Sequence, residues 1–155
     1  MTDSPVYFRE TQRFRQPWLW AILIFVSLIL FWAALAEAES VFQRVLFGAL
    51  GLVFLLFFAV LGLRTEVRED GIHLKFFPLH LSERHISANE LTGFDAREYR
   101  PLAEYGGWGI RRGRNGWAYN VRGTAGVELR YRGKTLLVGT QQPREFIEAL
   151  DRLGR

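Results

Sequence analysis

The chain has no cysteine, which excludes disulfides, thiolate metal sites and cysteine nucleophiles outright. Histidine is scarce too: His73, His80 and His85 are the only three, and their spacing fits no compact metal motif. Zinc needs at least three protein ligands converging on one point, and His73, on an alternating segment beside Ile72 and Leu74, is expected to face solvent. No metal and no cofactor are therefore expected. G-x-S-x-G, P-loop and H-E-x-x-H patterns are all missing. Ser82 and Ser87 have no evident base partner, and carboxylate pairs such as Glu66 with Glu69 or Glu145 with Glu148 fall at expected surface positions. An enzyme is not expected.

Charge is missing from two long runs. Pro17–Ala36 holds twenty residues without a charge and Val45–Leu63 holds nineteen, separated by the acidic turn Glu37-Ala38-Glu39-Ser40. At about 1.5 Å per residue each run reaches the roughly 30 Å of a bilayer's hydrocarbon core. Neither has the polar stripe of a soluble helix, so a transmembrane hairpin is expected. The first run is too long for a signal-peptide core. Arg9, Arg13 and Arg15 precede the hairpin, Arg64, Arg68 and Lys75 follow it, and Arg44 alone lies between the spans. That imbalance predicts both termini on the cytoplasmic side. Small residues (Ser27, Ala33, Ala34, Gly48, Ala49, Gly51, Ala59, Gly62) let the helices approach closely, but no G-x-x-x-G occurs within the two runs. With no ionisable group in mid-span, an anchor is expected rather than a transport path.

From Arg64 the periodicity changes to two. Strands are expected at Thr65–Glu69, Ile72–Phe76, Leu81–Ser87, Leu91–Tyr99, Trp108–Arg112, Trp117–Arg122, Val127–Arg132 and Lys134–Gly139, with Asp70-Gly71 and Asn115-Gly116 as turn dipeptides. Pro143 suits a first helical position, and Phe146, Ile147, Leu150 and Leu153 recur at helical spacing. Three parts result: residues 1–16 as an N-terminal cytoplasmic segment, 17–63 as the hairpin, and 64–155 as a mainly antiparallel β-barrel capped by a C-terminal helix.

Acidic residues are absent from the twenty-three positions Tyr105–Val127, which hold Arg111, Arg112, Arg114 and Arg122 with Trp108, Trp117 and Tyr119. Arginine grips phosphates and carboxylates bidentately and stacks on aromatic faces. These seven residues are the candidate binding patch. Three roles fit them: contact with anionic lipid, contact with an acidic protein partner, or a barrel rim whose aromatics are core and whose arginines are solvated. The net charge of +4 is too modest to favour nucleic acid.

Three segments carry a resemblance: YGGWGIRRG from Tyr105, AYNVRG at Ala118–Gly123, and LLVGTQQPREFIEAL at Leu136–Leu150. They resemble bacterial membrane-anchored pleckstrin-homology-like proteins, in which a Gly-Thr-x-x-Pro stretch similarly leads from the last strand into the closing helix. Here it stands as Gly139-Thr140-Gln141-Gln142-Pro143. The resemblance spans about Thr65–Leu153 and implies a pleckstrin-homology-like barrel in a bacterial or archaeal cytoplasmic membrane. The basic loop through which some relatives hold phosphoinositides corresponds to Glu69-Asp70-Gly71, which is short and acidic, so that mode does not carry over. The expected function is a non-enzymatic protein-interaction or scaffold module that meets a protein partner or another copy of itself. Two alternatives stay open: anionic lipid or membrane-surface binding through the Arg/aromatic patch, and an accessory subunit of a larger membrane complex recognised through its hairpin.

Overall fold

The computed structural model describes residues 5–153. Two apolar helices, α1 (Pro17–Ala36) and α2 (Val41–Val60), form one compact unit. Pro17 sits in the first turn of α1, where its missing N–H costs nothing. Ser40 caps α2: its hydroxyl accepts from the Gln43 N–H at 3.2 Å while the Gln43 side chain accepts from the Ser40 N–H. The helices meet where Ser27 donates to the Gly51 carbonyl at 3.2 Å. A Cβ on Gly51 would stand 3.3 Å from the Ser27 carbonyl oxygen, so this crossing uses the small residues anticipated there. Large apolar side chains cover the outside, among them Phe25, Leu28, Trp32 and Val53. Protein buries only 17% and 6% of the most apolar windows of α1 and α2, whereas a soluble core helix would be largely covered. Both helices are long and apolar enough to cross a membrane.

The second unit is β-rich and discontinuous, because it takes in the strand before the hairpin as well as everything from Gly62 onward. Among the described residues it has nine strands: β1 (Val6–Arg13), β2 (Gly62–Arg68), β3 (Gly71–Phe77), β4 (Arg84–Ser87), β5 (Leu91–Glu98), β6 (Gly109–Gly113), β7 (Gly116–Asn120), β8 (Ala125–Tyr131) and β9 (Lys134–Gly139). A short helix α3 (Pro101–Tyr105) precedes β6, and α4 (Pro143–Leu153) ends the chain. The order is β1-β2-β3-β4 in one sheet and β5-β8-β9-β7-β6 in the other. The β2–β3, β3–β4, β5–β8, β6–β7 and β8–β9 pairs are antiparallel, and β7 runs parallel to β9. No ladder among the described residues joins the two sheets into the expected barrel.

Alternation places the core. Leu63 and Val67 on β2, Ile72, Leu74 and Phe76 on β3, and Ile86 on β4 are buried from the first sheet, as are Val127, Leu129, Leu136 and Val138 from the second. Helix α4 touches β2, β5 and β8 and buries Phe146, Ala149 and Leu150. Fully burying side chains of this size contributes about 1.5–3 kcal/mol each. On the other face of the second sheet, α3 closes a small cluster of Tyr99, Tyr105, Ala118 and Leu137.

Strand β1 departs from expectation. Residues 1–16 were expected to lie outside the domain, yet Val6–Arg13 is the edge strand beside β2. Phe8 stacks on Phe146, ring centroids 5.0 Å apart. Glu10 and Gln12 are buried because the end of β9 supplies their partners. Thr140 Oγ1 donates to Glu10 at 2.6 Å, the Gln141 N–H donates at 2.9 Å, and Gln12 Nε2 donates to the Gly139 carbonyl at 2.7 Å. Thr140 Oγ1 also accepts from the Gln142 N–H at 3.0 Å. The Gly-Thr-x-x-Pro stretch is thus a turn tied to β1.

Candidate functional site

The candidate patch is built on the β6–β7 hairpin. Residues Gly113 and Gly116 pair across the two-residue turn Arg114-Asn115, with Arg112 opposite Trp117, Arg111 opposite Ala118 and Ile110 opposite Tyr119. Gly116 has φ +125°, and a Cβ there would come within 2.3 Å of the Thr135 carbonyl oxygen, so only glycine fits this close approach to β9. The hairpin expected from Asn-Gly is present, its strands displaced by one or two residues from the expected bounds.

The structure divides the seven patch residues. Tyr119 is not part of a binding surface: it is 4% exposed, and its hydroxyl accepts from Arg84 Nη1 at 2.7 Å. The same guanidinium bonds the Tyr131 hydroxyl and lies over both rings at 5.5 and 5.9 Å. Arg84 therefore clamps β4 to β7 and β8. Trp108 is partly covered, its indole N–H reaching the Gly123 carbonyl at 3.4 Å. Arg111, Arg112, Arg114, Trp117 and Arg122 are exposed. The Arg112 guanidinium sits 6.0 Å from the Trp117 ring, and Arg111 Nε donates to the Trp108 carbonyl at 3.0 Å. Arg122 lies six residues beyond Gly116, about 20 Å along an extended chain, so it does not join the tip. A depression of about 360 Å³ lined by Ala103, Glu104, Tyr105, Arg114 and Asn115 adjoins the turn.

The electrostatic setting of the four patch arginines differs from that of the other sheet. Among the described residues none of the four pairs with a carboxylate, whereas Arg9, Arg64 and Arg68 converge on Glu66. Glu66 is 1% exposed; Arg9 Nε lies 2.8 Å from Oε1, and Arg68 Nε donates to Oε2 at 2.8 Å. Burial by itself raises the Glu66 carboxyl, but the hydrogen bonds from Arg68 and Arg64 outweigh it and hold the group below its usual value. Arg97 is similarly matched by Glu104 and Glu128, Arg130 by Asp95, and Arg132 by Glu90.

The histidines also fall differently from expectation. His73 and His85 are register partners on β3 and β4, their rings stacked at 4.5 Å. His73 is only 12% exposed in its side chain, not solvent-facing. Asp70 in the β2–β3 turn completes a trio whose ligand atoms lie within 4.8 Å of one another. The Asp70 carboxylate is 3.0 Å from His73 Nε2 and 3.5 Å from His85 Nε2, and Glu83 stands 3.4 Å from His73 Nδ1. Two imidazoles and one carboxylate are a donor set that could hold a divalent transition metal. The same contacts bond the turn to β4 without one. Burial raises the Asp70 carboxyl, while the His73 hydrogen bond and the attraction of both histidines lower it further than that. Sequence spacing missed the trio because strand register, not sequence distance, brings position 85 to positions 70 and 73.

No family model, no curated protein and no solved structure matches this chain.

Proposed function

We propose that the chain is a two-span, membrane-anchored binding module whose β6–β7 tip takes an acidic segment of a protein partner or of another copy of the chain. The observation that carries this is the uneven matching of arginine: Arg111, Arg112 and Arg114 stand exposed on one edge hairpin without carboxylate partners among the described residues, while Arg9, Arg64, Arg68, Arg97, Arg130 and Arg132 have them. An unmatched guanidinium beside an exposed indole is ready to take a carboxylate bidentately. Strand β6 is also a sheet edge, and an extended acidic peptide adding there would gain main-chain hydrogen bonds.

The setting is the cytoplasmic membrane of a bacterium or archaeon, with the β-rich unit on the cytoplasmic side. Basic residues flanking the hairpin support that orientation. Topology supports the two spans themselves: β1 and β2 are neighbours in one sheet, so the segment joining them must leave and return on the same side of a membrane, which two spans satisfy. A pleckstrin-homology-like fold is supported by the four-stranded sheet, the antiparallel run β5-β8-β9 and the closing helix; the β6–β7 hairpin is then an addition beyond β9.

The test is crosslinking in native membranes, wild type against Arg111→Glu/Arg112→Glu/Arg114→Glu. Loss of specific neighbours in the variant is expected, and an unchanged set contradicts the role given to the tip. Exposed Trp117 beside Arg112 favours a second reading, anionic lipid. That reading requires full-length protein in vesicles to protect the tip from protease increasingly with anionic lipid and decreasingly with salt. Residues 64–155 alone would lack β1.

A further inference from the structure

The loop between β3 and β4 is the most apolar exposed segment of the β-rich unit. Phe77 is 51%, Leu79 52% and Leu81 96% exposed, in a unit whose sheets bury their leucines at Leu63, Leu74, Leu129, Leu136 and Leu137. The loop is nevertheless held in place. His80 turns inward: its N–H donates to the Phe76 carbonyl at 2.8 Å, its Nδ1 accepts from the Phe76 N–H at 3.3 Å, and its ring lies 5.4 Å from Tyr119. Burial and then the charge of Arg84 keep the imidazole below its usual pKa, which suits a neutral acceptor. With His80 fixed, its neighbours Leu79 and Leu81 are left outside.

The strand register says which end of the sheet carries this loop. Phe77 pairs with Gly62, and Gly62 opens β2 only one residue, Leu61, after the last residue of α2. Cross-strand partners lie about 5 Å apart, so Phe77 is that close to a residue directly tethered to the second apolar helix. Two residues inward, Arg64 pairs with Lys75, about 7 Å along the strands. Residues 76–82 contain no acidic side chain.

We propose that the β3–β4 loop is a second membrane contact, inserting Phe77, Leu79 and Leu81 into the interfacial layer of the leaflet from which α2 emerges, with Lys75 at headgroup level. The proposal rests on the reading that α1 and α2 span the bilayer. The occupant is lipid because an apolar tip with a basic residue, Lys75, behind it, tethered to a span, matches the layering of an anionic bilayer surface. Insertion would fix the tilt of the β-rich unit on the membrane, adding a contact to the two chain connections that run from β1 into α1 and from α2 into β2.

The chain's lack of cysteine makes single-site labelling clean. Full-length Leu81→Cys, Leu28→Cys and Glu148→Cys are labelled with an environment-sensitive fluorophore and reconstituted in phosphatidylcholine–phosphatidylglycerol vesicles, with nitroxide-bearing lipids as quenchers. Leu28 is mid-span in α1 and Glu148 is exposed on α4. Quenching at positions 81 and 28 should exceed that at position 148 by about threefold or more, as expected for a side chain seated in the acyl boundary. If position 28 is quenched and position 81 is no different from 148, the loop proposal is overturned while the spans stand. If neither 28 nor 81 is quenched, the spanning reading itself fails and the loop proposal with it. A probe at position 81 that is shielded in native membranes yet unquenched in these vesicles assigns the loop to a protein partner and also overturns the proposal.

Discussion

The outer face of the four-stranded sheet and the β6–β7 hairpin are both rich in arginine, and they use it oppositely. On the sheet, Arg9, Arg64 and Arg68 are gathered around Glu66, which is itself almost wholly covered. On the hairpin, Arg111, Arg112 and Arg114 are exposed, Arg112 beside the Trp117 ring and Arg111 on the Trp108 carbonyl, and none of them pairs with a carboxylate among the described residues. The difference shows that arginine density does not by itself mark a site. On the reading proposed above, the site is marked by exposed arginine left without a carboxylate, because a guanidinium already satisfied has little to offer a ligand.

The contrast breaks most visibly at Glu66. Replacing it with alanine leaves three guanidinium groups crowded without a counter-charge, and should cost about 3 kcal/mol, near the low end for a broken buried pair because the arginines still reach water. Denaturant unfolding of the full chain in detergent, followed by tryptophan fluorescence, measures it. Next comes Tyr119→Phe, which removes the hydroxyl that Arg84 bonds. A hydrogen bond to a charged group is worth about 1.5–3 kcal/mol, and the lower figure is expected because Arg84 keeps Tyr131.

Acid sharpens the comparison further. Glu66 has a folded-state carboxyl below its usual value, so its contribution is complete above the ordinary carboxylate pKa of about 4.3 and is lost as pH falls through the lowered one. A Glu66→Gln chain should therefore show a shallower loss of stability on acidification than wild type. The smallest effect belongs to the hairpin: Arg112→Ala and Arg114→Ala should each shift stability by no more than about 0.5 kcal/mol, as for exposed residues without carboxylate partners.

Much of this was legible in the residues. The hairpin shows in the charge-free runs, most strands in their alternation, the β2–β3 and β6–β7 turns in Asp-Gly and Asn-Gly, and α4 in its apolar spacing. Strand β1 was not legible because its inward positions are Phe8, Glu10 and Gln12, two of them polar. Their partners Gly139, Thr140 and Gln141 lie more than 120 residues away. Helix α3 is a single short turn-like element of five residues, too brief for periodicity. Of the candidate patch, the acid-free stretch drew attention to arginines that are exposed, but it could not tell Tyr119 from Trp117. Both sit on β7 with the same alternation, and the arrival of Arg84 from β4 and of the His80 ring separates the buried ring from the exposed one.

The most direct measurement is proximity crosslinking of the full chain in native membranes, comparing Arg112→Glu/Arg114→Glu on the hairpin with Arg130→Glu, an arginine already matched by Asp95. The hairpin variant should lose specific neighbours while Arg130→Glu keeps them. Equal loss in both, or loss in neither, would contradict the claim that unmatched arginines at the β6–β7 tip form the binding surface.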